Sequence, residues 1–267
     1  TQIWVVPLIN PDGNSAVHAG ISYYYRKNGR DLDGDGNLYE YVCNNWWDCS
    51  TEGIDLNRNY DWSWRYGGSN IPMNYYYRGQ SAGSESENQA ITGLIARIRP
   101  VTSLTYHSYG EVVYYPWQWV DGSSAPDNSV IQDIVVNFAG RIMKEDGYSY
   151  YDPTPSDGRS GQSINYQYGR YGVLDFSPDT VMYPDFIPDP ERKNAVVENN
   201  LNGVFYLLQR ANGSQIKGTV TDGATGQPVE AEIRIRGMYS TLVDPRKSDP
   251  TTGRYRRLVN PGVYAID

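Results

Sequence analysis

"SESENQAITGLIARIRPVTSLTYHSYG" (residues 84–110) sets a helix pattern directly before a strand pattern, and that order decides the fold class. Ser84 offers an N-cap with Glu87 three residues on, the spacing of a capping box. Ile91, Leu94, Ile95 and Ile98 recur at helical intervals, and the stripe stops before Pro100. "SLTYH" (103–107) then reads as a short strand. The same alternation extends outward in both directions. "IWVVPLI" (3–9) reads as a buried strand, with "NPDG" (10–13) as a turn after it. "NSVIQDIVVNFAGRIMKEDG" (128–147) predicts an amphipathic helix closing at Gly147. "YGVLDFSPD" (171–179) predicts another buried strand, and "PERKNAVVENNLNGVFYLLQR" (190–210) a helix with Pro190 at its start. Strands alternating with helices predict an α/β domain, a mixed sheet flanked by helices.

After "RANGSQ" the pattern changes to short alternating runs with Gly and Pro turns: "IKGTVTDGATGQPVEAEIRIRG", then "GRYRRLVNPGVYAID". That predicts a small all-β sandwich, giving two domains, 1–212 and 213–267. "TQIWVVPLINPDG" (1–13) opens on a strand pattern without an initiator Met, and "NPGVYAID" (260–267) stops inside one. Both ends therefore read as cuts, and the second domain as incomplete. A sheet missing upstream strands leaves an edge open to a second copy or a partner chain.

The 267 residues are 39% hydrophobic, enough to bury a full core. Tyr supplies 25 residues against 4 Phe, which suits a wet surface with many amphipathic contacts. A net charge of −8 argues against nucleic acid or an anionic membrane as partner. No apolar run is long enough for a transmembrane helix. Cys43 and Cys49 are the only cysteines. Their spacing fits neither a four-cysteine zinc site nor a redox pair, so they read as a local disulfide of an extracellular protein or as two buried thiols.

Two polar stretches carry candidate chemistry. In "GIDLNRNYDW" (53–62), Asn57 and Arg58 place an amide beside a guanidinium fork, a pair suited to gripping a carboxylate or to a surface salt bridge. Arg26 follows an aromatic run in "YYYRKNGR" (23–30). "DLDGDGNLYEY" (31–41) has Asp31, Asp33, Asp35 and Gly36 at the spacing of the first half of a calcium loop. Val42 stands where such a loop needs Glu, so calcium would need Glu40 or a remote carboxylate. The alternative is a solvated acidic turn.

In order along the chain, "NPDG", "RKNGR" (26–30), "DLNRNY" (55–60), "YRGQSAGSESE" (77–87), "YHSYG" (106–110), "YYPW" (114–117), "SGQSINYQYG" (160–169) and "GVLDFSPD" (172–179) resemble the zinc carboxypeptidases of the carboxypeptidase A family. "GTVTDGATGQPVEAEIRIRG" resembles the regulatory-like β domain often appended to them. The resemblance implies a secreted enzyme that removes C-terminal residues from peptides and proteins. It implies one zinc, with His107 as the third ligand and the other two in an HxxE motif upstream of "NPDG". His18 lies after that turn with Ile21 where Glu would be needed, so the chain carries one zinc ligand of three. By the same resemblance Asn57 and Arg58 bind the substrate's terminal carboxylate, and Arg26 stabilises the oxyanion. Tyr109 lines a subsite, and Ile164 floors a side-chain pocket for apolar or aromatic residues. Asp179 stands where the family has its general-base Glu, one methylene shorter. The mobile Tyr of the family falls at Asp157. The missing HxxE and the shortened base also fit a non-catalytic relative that serves as an extracellular binding or structural protein.

Overall fold

The computed structural model describes residues 2–39, 50–117, 123–156 and 160–267. Cys43, Cys49, Glu40, Val42 and Asp157 lie outside them, and with them the disulfide and the mobile-Tyr position. The chain divides into two compact units, Thr1–Arg97 with Gly158–Tyr166 and Ile98–Asp157 with Gln167–Asp267.

The second unit holds the sheet. β5 (Leu174–Thr180) is its centre, flanked by β1 (Thr102–Leu104) on one side and β3 (Val112–Tyr115) on the other; β4 (Asp152–Pro155) pairs beyond β3. β1 runs parallel to β5, and so does the two-residue β2 (His107–Ser108) further along; β3 is antiparallel to β5 and parallel to β4. The sheet is mixed, as the alternating pattern predicts. Leu174 and Phe176 are fully buried, which is why the strand reads as a continuous apolar run.

Helix α3 (Asn128–Ala139) turns Val130, Ile131, Ile134, Val135 and Phe138 into the core. α5 (Pro190–Arg210) has Pro190 in its first turn and the Asp189 carboxylate capping Arg192 N–H. Gly203 lets α5 approach closely: a Cβ there would stand 2.6 Å from the Phe138 ring and 2.9 Å from Ile142. β6 (Gln215–Thr219) pairs antiparallel with β9 (Arg254–Leu258), and β7 (Glu232–Ile233) with β8 (Arg246–Lys247). These short strands belong to the same compact unit as the sheet. From β9, buried Arg257 pairs with buried Asp127, which also accepts the Tyr168 hydroxyl.

The first unit contains α1 (Pro11–His18), most of α2 (Ser86–Ile98) and the opening residues of α4 (Ser163–Tyr171). Four local readings are corrected. Residues 3–9 form no strand: Ile3, Trp4, Val5, Val6 and Leu8 are all exposed, and no ladder partner for them occurs among the described residues. A strand pattern becomes a strand only when a neighbour supplies hydrogen bonds. "NPDG" is a helix start, with Asn10 as N-cap of α1 and Pro11 in its first turn. Ser84 does not cap α2; its hydroxyl donates to Glu85 at 2.7 Å, and the helix begins at Ser86. α3 stops at Ala139, because Gly140 ends the run, while Gly147 turns at φ +78°. Among the described residues no helix is long and apolar enough to cross a membrane.

Candidate functional site

In the first unit the site starts from Asn10. Its side-chain oxygen accepts Gly13 N–H at 2.9 Å, and its amide donates to Arg26 O and Lys27 O, both at 3.0 Å. Asp12 accepts Gly29 N–H at 3.0 Å. The first helix start therefore fixes the backbone that carries Arg26. Lys27 is buried and donates to Ser50 O at 2.8 Å and to Pro72 O. Burial lowers its pKa to about 8, against Asp55 and Glu52, which favour the charge.

Asp55 joins the two arginines. One carboxylate oxygen accepts Asn57 N–H at 3.0 Å, capping the 3₁₀ turn Leu56–Arg58. The other accepts Arg26 Nε–H at 2.8 Å and lies 3.9 Å from Arg58. Burial works against the charge on Arg26, but Asp55, with Tyr75 and Tyr76, outweighs it and raises the pKa above its ordinary value. Arg58 is buried and donates to Asn57 O at 2.7 Å. Asn57 accepts Ser163 N–H at 2.9 Å through its side-chain oxygen, which makes Nδ2 the donor end of the amide. This bond spans 106 residues and ties the turn to the start of α4. Gly161, at φ +77°, is required there: a Cβ would stand 2.2 Å from Arg58 O. Two guanidinium groups and one amide donor, oriented by one buried carboxylate, form a site for an anionic group with a planar face. Ile164 is buried at the second position of α4.

Asp31, Asp33 and Asp35 bring their carboxylate oxygens within 4.8 Å of one another. Asp31 accepts Gly34 N–H at 2.6 Å and Gly36 N–H at 3.0 Å, Asp33 accepts Asp35 N–H at 3.1 Å, and Asp35 accepts Asn37 N–H at 2.7 Å.

In the second unit His107 lies opposite Asp179 in the parallel β2–β5 pairing, and both are half-buried. Partners in a ladder project to the same face of a sheet, so imidazole and carboxylate are neighbours by register. Thr180 donates its hydroxyl to His107 O at 3.1 Å and fixes the end of that pairing. Tyr109 packs against Tyr183 and Phe186, with ring centroids 5.0 and 4.5 Å apart. Deeper in the sheet Asp175 is fully buried and accepts Ser103 at 2.8 Å, Thr105 at 3.0 and 3.1 Å and Gln167 at 2.9 Å. Burial raises its pKa to about 7, against those hydrogen bonds.

A catalytic zinc needs three protein ligands and an open position. Among the described residues the only His, Cys, Asp or Glu group of three able to converge on a metal is the Asp31 turn, all oxygen donors and without His107. Among the described residues the donors do not fit zinc. His18 is exposed at the end of α1.

Sequence reading missed Asp55 as the shared partner of both arginines, although it stands inside "DLNRNY". It also missed Asn10 as the anchor of the Arg26 backbone.

A family model described as zinc carboxypeptidase matches residues 1–203. Zinc carboxypeptidase A 1 of Anopheles gambiae is 24% identical over 195 residues, which are 66% of this chain and 45% of that protein. Carboxypeptidase D of Drosophila melanogaster is 24% identical over 293 aligned residues, covering 100% of this chain and 18% of that protein. Among solved structures, carboxypeptidase A from Helicoverpa armigera superposes with a TM-score of 0.63 at 24% identity, over 77% of this chain and 50% of that one. The chain thus spans less than half the length of these curated relatives.

Proposed function

The chain belongs to the zinc carboxypeptidase family, and from that premise we propose that it recognises the free C-terminal carboxylate of a peptide or protein within a carboxypeptidase catalytic domain. The observation that carries this reading is the Asp55-centred pair Arg26 and Arg58 beside the Asn57 amide. Asn57 and Arg58 bind the terminal carboxylate, and Arg26 faces the scissile carbonyl. Tyr109 lines the approach, and Ile164 gives the side-chain pocket an apolar floor. His107 is one zinc ligand and Asp179 the proton-transfer carboxylate. Zinc-dependent hydrolysis would require two further ligands beside His107. Isothermal titration with an acetylated dipeptide ending in Phe tests the reading. The free acid is expected to bind at least tenfold more tightly than the amide, and Arg58→Met to abolish the difference. Equal affinity for acid and amide would sink the proposal.

The incomplete zinc donor set favours one second reading, a carboxypeptidase-like protein that binds C-termini without cleaving them. Equilibrium dialysis against zinc of the longest natural form of the protein separates the two, one tightly held zinc excluding the second.

Four subsidiary readings complete the proposal. The β6–β9 and β7–β8 ladders form part of a regulatory-like domain, 213–267. The exposed run 3–9 is a pairing edge for a further strand, from a second copy or a partner chain. The Asp31, Asp33 and Asp35 turn takes calcium. Cys43 and Cys49 pair in an extracellular compartment.

A further inference from the structure

Arg26 and Arg58 share an aromatic ring as well as the Asp55 carboxylate. The centroid of Tyr76 lies 5.4 Å from Arg26 Cζ and 4.8 Å from Arg58 Cζ. Both distances fall within the range of cation–π attraction. Tyr75 stands 5.5 Å from Arg26 and meets Tyr76 edge-on, with centroids 5.0 Å apart and planes at 87°.

The Tyr76 backbone is held by hydrogen bonds that do not involve the arginines. Tyr76 N–H donates to the Asn74 side chain at 2.9 Å, and Tyr76 O accepts Ser69 N–H at 2.8 Å. Gly68, at φ +64°, permits this approach: a Cβ there would lie 2.7 Å from Tyr76 O and 3.2 Å from the Arg58 side chain. Tyr75 is buried in the core, whereas Tyr76 is half-buried beside two cations.

A guanidinium meets an aromatic ring with its flat face and a carboxylate with its in-plane N–H groups, so both contacts can be made at once. Arginine–carboxylate pairs are frequently two-pronged. Arg26 meets one Asp55 oxygen through Nε, while the other Asp55 oxygen accepts Asn57 N–H. We infer that Tyr76 is a positioning residue for the substrate site, its ring lying against both guanidinium groups and holding Arg58 toward a substrate's terminal carboxylate and Arg26 toward the scissile carbonyl. This inference rests on the reading of Asn57 and Arg58 as carboxylate-binding residues and of Arg26 as the residue that faces the scissile carbonyl.

The test uses the full chain with Tyr76→Phe and Tyr76→Leu, titrated with the acetylated Phe-ended dipeptide as free acid and as amide. Tyr76→Phe keeps the ring and is expected to bind the acid within about twofold of wild type. Tyr76→Leu keeps apolar bulk without the ring, and its affinity for the acid is expected to fall about tenfold while that for the amide stays unchanged. A wild-type measurement needs no variant to fold: the Arg26 and Arg58 Cδ–H proton resonances, beside the guanidinium groups and outside the hydrogen bonds, are expected to carry an upfield ring-current shift. Cδ–H resonances at ordinary arginine positions in the wild type, or Tyr76→Leu binding the acid as tightly as wild type, would overturn the positioning role and leave the carboxylate reading intact. Wild-type protein that does not distinguish acid from amide would overturn both.

Discussion

Asp175 gives a pH dependence of stability whose sign and size follow from its surroundings. Its carboxyl is fully buried between β1 and β5, and its hydrogen bonds come from Ser103, Thr105 and Gln167, all neutral donors. Burial raises the pKa from 3.8 to about 7. A raised carboxyl pKa means that the folded state holds the proton more tightly than the unfolded chain. The stability contribution is therefore present at acid pH and is lost as pH rises from about 4 to about 7. At about 1.4 kcal/mol per pKa step, the loss between pH 4.5 and pH 8 is about 3 kcal/mol. Asp175→Asn removes the titration and keeps the shape. Urea unfolding of wild type and variant at both pH values measures the effect, with Asp175→Asn expected to gain about 3 kcal/mol relative to wild type between the two pH values. A variant-minus-wild-type difference that does not change with pH would refute the reasoning and show that Asp175 ionises as readily folded as unfolded.

Three further outcomes are expected. Gly161→Ala drives a Cβ into the Arg58 carbonyl at a left-handed backbone position, so it should cost about 2 kcal/mol or more in urea unfolding and weaken free-acid peptide binding as the Asn57 turn shifts. Unchanged affinity in a folded Gly161→Ala would count against that turn as part of the site. Arg257→Met leaves Asp127 charged and buried and should cost about 3–5 kcal/mol, with Asp127→Leu on the same chain recovering most of it; a loss below 1 kcal/mol would contradict a buried ion pair. Millimolar calcium should raise the melting temperature of wild type but not of Asp33→Asn, and an unshifted wild type would remove calcium from the Asp31 turn.

Much of the architecture was legible because it is local. α5 matches its sequence pattern end to end, since Asp189, Pro190 and the apolar repeat all act within one or two turns. β5 was legible as an unbroken apolar run, which a central strand buried on both faces requires. The 3–9 run failed for the converse reason: the composition of a strand is local, but its partner is tertiary. α3 was read too long because "RIMKED" keeps helical composition past Gly140, and nothing local shows where the chain turns back. Arg26, Asn57 and Arg58 were legible by resemblance, and the structure brings them together around Asp55. The place of Tyr76 between two guanidinium groups depends on chain segments about twenty and fifty residues apart, and no sequence pattern encodes it.

The most direct test of carboxylate recognition is a titration of ¹⁵N-arginine-labelled protein, followed at the Arg26 and Arg58 Nε–H resonances. With the free-acid dipeptide both resonances should move together and saturate; with the amide they should stay in place. Movement with neither ligand, or with both alike, would contradict the assignment of this site to a peptide C-terminus.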